Sequence, residues 1–85
     1  MVKNNAITFA ALRQLLIGLG FTEKSVPHSH LVFEHQPSGT VLVLPPYRLR
    51  EKVWEPNLVA VQKRLVDNGI LAEHAFEDLL HKASR

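Results

Sequence analysis

The pattern of apolar and polar positions predicts a helix near the start of the chain. Thr8 is a good helix N-cap, and apolar residues follow it at helical spacing as far as Leu19. Gly20 supplies the left-handed position that ends many helices, and Phe21 is the apolar residue that often closes such a cap. We therefore expect a first helix after a loose lead-in over residues 1–7.

The segments after this helix alternate as strands do. Residues 21–26 are predicted to form a short strand, which Pro27 ends. Residues 30–35 also alternate, with a period of two. One side of this predicted strand carries Leu31 and Phe33, and the other carries His30, Val32 and Glu34.

A turn signal at residues 37–39 leads into a third extended segment, residues 40–44. Its β-branched and apolar composition suits a strand that is at least partly covered on both faces. Together with residues 30–35 it reads as a β-hairpin. Two prolines, Pro45 and Pro46, cannot continue a ladder and end the strand.

Two further helices are predicted after the strands. Pro56 suits a first helical turn, an amphipathic pattern follows, and Asn68-Gly69 ends it. Residues 73–81 form a shorter helix with an apolar stripe of Phe76, Leu79 and Leu80. This stripe could dock on the domain or on a partner subunit, and docking within the chain is the favoured interpretation.

This order of elements indicates the fold class. Strands grouped between helices favour one antiparallel sheet with helices packed against it. We expect an α+β domain of order α-β-β-β-α with a three-stranded antiparallel sheet and an extra C-terminal helix. The chain is short enough for a single domain over residues 1–85, with its core in residues 8–70 and a helical extension over 71–85.

Composition narrows the classes of function. The absence of cysteine excludes disulfides, a thiolate nucleophile and thiolate metal sites. No signal peptide is visible, and no apolar stretch approaches the roughly 20 residues that a membrane span needs. We expect a soluble, cytoplasmic protein. As far as Arg64 the chain carries eight Lys or Arg against four Asp or Glu, so this part could meet a polyanion. On charge alone, a solvated mixed surface is the favoured interpretation.

Histidines supply the first candidate chemistry. His28 and His30 would share one face of an extended strand, with Ser29 between them, and both could reach one phosphate. Such a histidine could take the proton from an RNA 2′-hydroxyl, which then attacks its own phosphate. The alternative is an exposed polar pair. A metal site with His35 is not expected, because His35 would point to the opposite face and no other ligand completes the set.

A basic set with interleaved aromatics supplies the second candidate. Basic side chains bind phosphates, and aromatic rings stack on unpaired bases. The set consists of Arg48, Arg50, Lys52, Lys63 and Arg64, with Tyr47 and Trp54 among them. The alternative is a solvated loop and helix face. For Trp54 we expect packing on the core, because the only Trp of a small domain is usually packed.

The order of these motifs resembles the HicA-like (YcfA-like) toxin family. That pattern has a helix ending in Gly and an aromatic residue, then a strand with Gly-Ser-His and an aromatic three residues later. A turn with Gly, a strand ending in Pro and a helix ending in Gly follow. The counterparts here, spread over about residues 8–70, are Leu19-Gly20-Phe21, Ser29-His30 with Phe33, Gly39, Pro45, and residues 58–70 with Gly69.

The resemblance implies a fold like that of double-stranded-RNA-binding domains and a function. Members of the family cleave messenger RNA without a metal or other cofactor, and a HicB-type antitoxin neutralises them. Their catalytic strand histidine corresponds to His30, with Ser29 and His28 beside it. The basic residues Arg48, Arg50, Lys52 and Lys63 are the expected RNA-binding set.

The chain departs from the family pattern at several positions. His28 stands where the pattern has Gly, although Gly allows backbone angles that are unfavourable for His. Leu31 replaces a second His, and the loop over residues 46–55 is longer than usual. These differences motivate a rival hypothesis: a non-catalytic module of the same fold that binds RNA or a protein. A purely structural or dimerising protein is a third possibility.

Overall fold

A computed structural model describes residues 7–83, and helix α1 (Phe9–Gly18) begins this part of the chain. The Thr8 Oγ1 accepts a hydrogen bond from the Ala11 amide at 3.3 Å, as expected of an N-cap. At the other end Gly20 has φ 101°, and the Phe21 amide donates to the Leu16 carbonyl. Both predicted caps of this helix are confirmed.

The three strands form one antiparallel sheet in the order β1 (Thr22–Glu23), β2 (Leu31–His35) and β3 (Thr40–Leu44). Strand β1 is shorter than the predicted 21–26. The ladder ends because the Val32 amide donates to the Ser25 Oγ at 3.0 Å instead of to a backbone carbonyl. The side chain of Ser25 thus replaces the next bond of the ladder.

Strand β3 is covered on one face only, so the prediction of cover on both faces was wrong. Thr40, Leu42 and Leu44 are buried, whereas Val41 and Val43 are 38% and 59% exposed. Register places both valines on the side opposite the buried Phe33. The helices all cover the Phe33 side, so the β-branched residues of the other face lie open to solvent.

Helices α2 (Glu55–Asp67) and α3 (Glu73–Ala83) complete the described chain. As predicted, Pro56 lies in the first turn of α2 and Gly69, with φ 73°, follows its end. Helix α3 contacts both α1 and α2. The α+β class and the α-β-β-β-α-α order are as expected.

One hydrophobic core joins these elements. Phe76 and Leu80 of α3 are both 0% exposed and lie in the same cluster as the apolar residues of α1, β2 and α2. The predicted docking of this stripe within the chain is confirmed. Ile7 is also in the core, at 1% exposure, which corrects the expected lead-in at that position. Residues 1–6 of that predicted segment lie outside the described residues.

Candidate functional site

The segment before β2 is a tight turn. The Ser29 amide donates to the Val26 carbonyl at 3.3 Å, which closes a four-residue turn with Pro27 in its second position. His28, in the third position, has φ 63° and is the only non-glycine residue with a positive φ among residues 7–83. Proline second and a positive φ third are the features of a type II turn, which favours glycine at the third position.

This turn changes the expected arrangement of the histidines. We expected His28 and His30 to share one face of an extended strand, but β2 begins only at Leu31 and His28 is not extended. The strand alternation therefore does not orient the His28 ring. Ser29 and His30 are exposed between the turn and the strand.

His30 lies next to the segment that leaves the hairpin. Leu31 pairs with Leu44, and continuation of this register places position 30 beside Pro45. The loop over residues 45–54 therefore starts at the same end of the sheet as His30. Within residues 7–83 the rings of His28 and His30 make no hydrogen bond or ion pair. The ring nitrogens of both are thus accessible to a bound molecule.

His35 belongs to a separate environment. Its Nδ1 lies 2.8 Å from the Ser38 Oγ, and its ring centroid is 5.0 Å from that of Phe21. It packs on the helix-covered side of the sheet, as the alternation predicted. In the part of the chain that the structure describes, no three His, Asp or Glu side chains are arranged to hold a metal ion.

The loop over residues 45–54 is fixed to the first turn of α1. The Phe9 amide donates to the Glu51 carbonyl at 2.7 Å, and the Ala10 amide donates to the Leu49 carbonyl at 2.9 Å. These are helix N-terminal amides that would otherwise lack a partner. A third bond, from the Val53 amide to the Ile7 carbonyl at 2.9 Å, holds the end of the loop.

The side chain of Tyr47 also fixes the loop, through contacts with residues of α1 and α2. Its ring stacks on Phe9 with a centroid separation of 5.9 Å and an interplanar angle of 20°. Its hydroxyl accepts hydrogen bonds from the Trp54 amide at 2.9 Å and from the Asn57 Nδ2 at 2.7 Å. Tyr47 therefore joins α1, the loop and the start of α2, and Phe9 covers one face of its ring.

Trp54 does not pack on the core, contrary to expectation. Trp54 is 67% exposed, whereas the neighbouring Val53 is buried. The extended backbone at Trp54 points successive side chains to opposite sides, and the core takes Val53. Sequence alone did not indicate that Tyr47 stacks on Phe9 while Trp54 stays exposed.

The basic residues fall into two groups. Arg48, Arg50 and Lys52 are exposed on the fixed loop. Lys63 lies on α2, where its Nζ is 3.2 Å from the Asp67 Oδ2. Among the described residues, no contact therefore joins Lys63 to the cations of the loop.

Arg64 lies nearer to the hairpin than Lys63 does. A groove of about 110 Å³ between β3 and α2 is lined by apolar residues of both elements, by Asn57 and by Arg64. The groove includes Leu44, the partner of the first residue of β2. Arg64 and Asn57 lie seven residues apart on one helix face, and this spacing is the signal that would have grouped them.

A larger groove of about 510 Å³ lies elsewhere, between α1 and α3. Its lining is mainly apolar and includes Leu15, Leu19 and Leu79, with none of the candidate residues.

In residues 7–83 no helix is long and apolar enough to cross a membrane. Comparison of the chain with protein-family models, with curated proteins and with solved structures finds no match.

Proposed function

We propose that this chain is a HicA-like endoribonuclease that cleaves messenger RNA with His30 as general base. The observation that carries the proposal is the turn before β2. Position 28 has φ 63°, a conformation that favours glycine, and the family pattern has glycine there, directly before Ser-His. The turn leaves Ser29 and His30 exposed at the start of the strand.

The other glycines of the pattern support the same proposal. Gly20 after α1, Gly39 in the hairpin turn and Gly69 after α2 all have positive φ, at 101°, 73° and 73°. Each position therefore has a backbone reason for glycine. The motif residues that define the resemblance are the residues that shape this backbone, and the order of elements agrees with it.

The proposed reaction uses a neutral His30. A ring nitrogen takes the proton from a ribose 2′-hydroxyl, and the 2′ oxygen forms a bond to the adjacent phosphorus. The bond from phosphorus to the 5′ oxygen breaks, and the leaving oxygen takes a proton from solvent. The products are a 2′,3′-cyclic phosphate and a 5′-hydroxyl end. This route requires no metal ion or cofactor.

Neighbouring groups hold the substrate. The Ser29 hydroxyl, one residue from His30, donates a hydrogen bond to the phosphate. Arg48, Arg50 and Lys52 bind the phosphates of the flanking nucleotides, because their charges lie exposed on a loop that the protein holds rigid. Lys63 contributes less, because Asp67 partly neutralises it.

Analysis of the product ends tests the reaction. Purified protein is incubated with an end-labelled fragment of messenger RNA in the presence of a chelator. We expect cleavage to cyclic-phosphate ends, its loss in His30→Ala, and its retention in His74→Ala, which removes an exposed histidine on α3. Products with 5′-phosphate ends would contradict attack by the 2′-hydroxyl.

A binding module without catalysis is the second candidate. Leu49 and Trp54 are 56% and 67% exposed on the same loop, as in a surface that another molecule covers. RNA that binds the wild-type protein but stays intact would favour this function. The toxin proposal, in contrast, includes a cytoplasmic location and a HicB-like antitoxin as the partner. Co-expression of this antitoxin should relieve the growth arrest.

A further inference from the structure

Trp54 is exposed in a way that packing does not explain. It is the only Trp of the chain, and the residue is 67% exposed. Aromatic side chains of this size normally bury about 150–250 Å². The adjacent Val53 takes the buried position, so Trp54 adds nothing to the core there. Its large apolar ring is a surface feature.

The backbone of Trp54 is nevertheless fixed. Its amide donates to the Tyr47 hydroxyl at 2.9 Å, and its carbonyl accepts from the Asn57 and Leu58 amides at 2.9 and 3.2 Å. Tyr47 is itself stacked on Phe9. A ring that projects from a fixed backbone loses little conformational freedom when another molecule binds it.

The charge around Trp54 indicates a polyanion. Arg48, Arg50 and Lys52 are exposed in the residues that precede it. Residues 48–55 carry three positive charges against two carboxylates: the Glu51 Oε1 accepts a hydrogen bond from the Arg48 amide, and Glu55 lies in the first turn of α2. Proteins bind single-stranded nucleic acid by combining cations along its phosphate backbone with an aromatic ring on which a base stacks.

We propose that Trp54 stacks on an unpaired base of the RNA strand whose phosphates the loop cations bind. The inference rests on the RNA binding of the proposed function and adds a specificity to it. A base within a duplex is already stacked and paired, so its face is not available to the ring. The protein therefore selects single-stranded segments, and Trp54 is a positioning residue for the bound strand.

Fluorescence tests this inference at one position, because Trp54 is the only Trp. Full-length protein is titrated with a single-stranded RNA of about 12 nucleotides that carries 2′-O-methyl groups, which block attack by the 2′ oxygen. The same sequence paired with its complement is the control ligand. We expect quenching of Trp emission by the single strand, and little change with the duplex at equal phosphate concentration.

Affinity is measured separately by anisotropy of a labelled single strand. Trp54→Ala is expected to bind roughly 5- to 150-fold more weakly, from the measured range for one stacked base. Trp54→Phe should recover most of this loss, because it keeps an aromatic face. The matched control is Val59→Ala, which shortens another exposed apolar side chain, 49% exposed on α2, and should bind like the wild type.

The outcomes separate this inference from the proposed function. If the wild type binds the single strand while Trp emission and the affinity of Trp54→Ala stay unchanged, the stacking role is wrong and the RNA function stands. If the wild type binds no RNA, both are overturned. If Trp54→Ala keeps its RNA affinity but loses binding to the antitoxin, the ring serves a protein interface and the inference is overturned.

Discussion

The backbone conformation of His28 predicts that two substitutions at this exposed position change the stability of the protein in opposite directions. His28 has φ 63° and its ring makes no hydrogen bond or ion pair within residues 7–83. Replacement should therefore act through the backbone and not through lost contacts. His28→Gly removes steric strain in the turn, and His28→Val increases it.

The magnitudes follow from the backbone. The left-handed conformation costs about 1–2 kcal/mol for a residue with a Cβ. Glycine removes this cost but gives the unfolded chain more freedom, which offsets about 0.4–1 kcal/mol. We expect His28→Gly to stabilise the protein by about 0.5–1 kcal/mol, or roughly 2–8 °C in Tm for a chain of this size. A β-branched side chain is strained further, so His28→Val should destabilise by about 1–2 kcal/mol.

Urea unfolding followed by far-ultraviolet circular dichroism measures both changes. Trp emission is a poor probe here, because Trp54 is 67% exposed in the folded state. A loss of about 1 kcal/mol in His28→Gly, with no loss in His28→Val, would refute the account of the turn. RNA cleavage by His28→Gly also tests the role of the ring. Full activity would remove His28 from the candidate catalytic residues and leave it a role in the turn.

Two further predictions concern the loop and the core. Replacing Arg48, Arg50 and Lys52 together by Ala should weaken RNA binding and lower the slope of log affinity against log salt by roughly 2, because each phosphate contact on a single strand contributes about 0.7. Lys63→Ala should change the slope less, and an equal effect would contradict the separation of the two groups. Phe76→Ala should destabilise the protein by about 3–5 kcal/mol, because its ring is fully buried. Thermal unfolding measures this change, with Val59→Ala as the control variant, which should stay within about 0.5 kcal/mol of the wild type. If Phe76→Ala also changed the stability by no more than about 0.5 kcal/mol, α3 would be dispensable for the fold.

Much of the fold could be predicted because its signals are local. Thr8 and Gly20 define the ends of α1 through bonds to residues three to five positions away. The hairpin follows from alternation on either side of a Pro-Ser-Gly turn. The length of β1 was beyond such signals, because it depends on the hydrogen bond between Ser25 and Val32, seven residues apart.

The candidate site was predicted less completely, because its details depend on distant contacts. The role of Tyr47 depends on its stacking on Phe9, which lies on another element, and the exposure of Trp54 had no signal in the sequence. The turn at His28 had a local signal in Pro27. We interpreted this proline only as the end of the preceding strand and not as the second residue of a turn. The resemblance indicated that position 28 needs glycine-like angles, and the backbone has them.

The proposed function depends on His30 as the general base of an RNA-cleaving toxin. The most direct measurement is induced expression of the wild type, His30→Ala and His74→Ala in a bacterial host, with growth and the integrity of messenger RNA followed together. Circular dichroism of the purified variants confirms that each is folded. We expect growth arrest and message loss with the wild type and His74→Ala, and neither with His30→Ala. Arrest and message loss that persist in a folded His30→Ala variant would contradict this expectation.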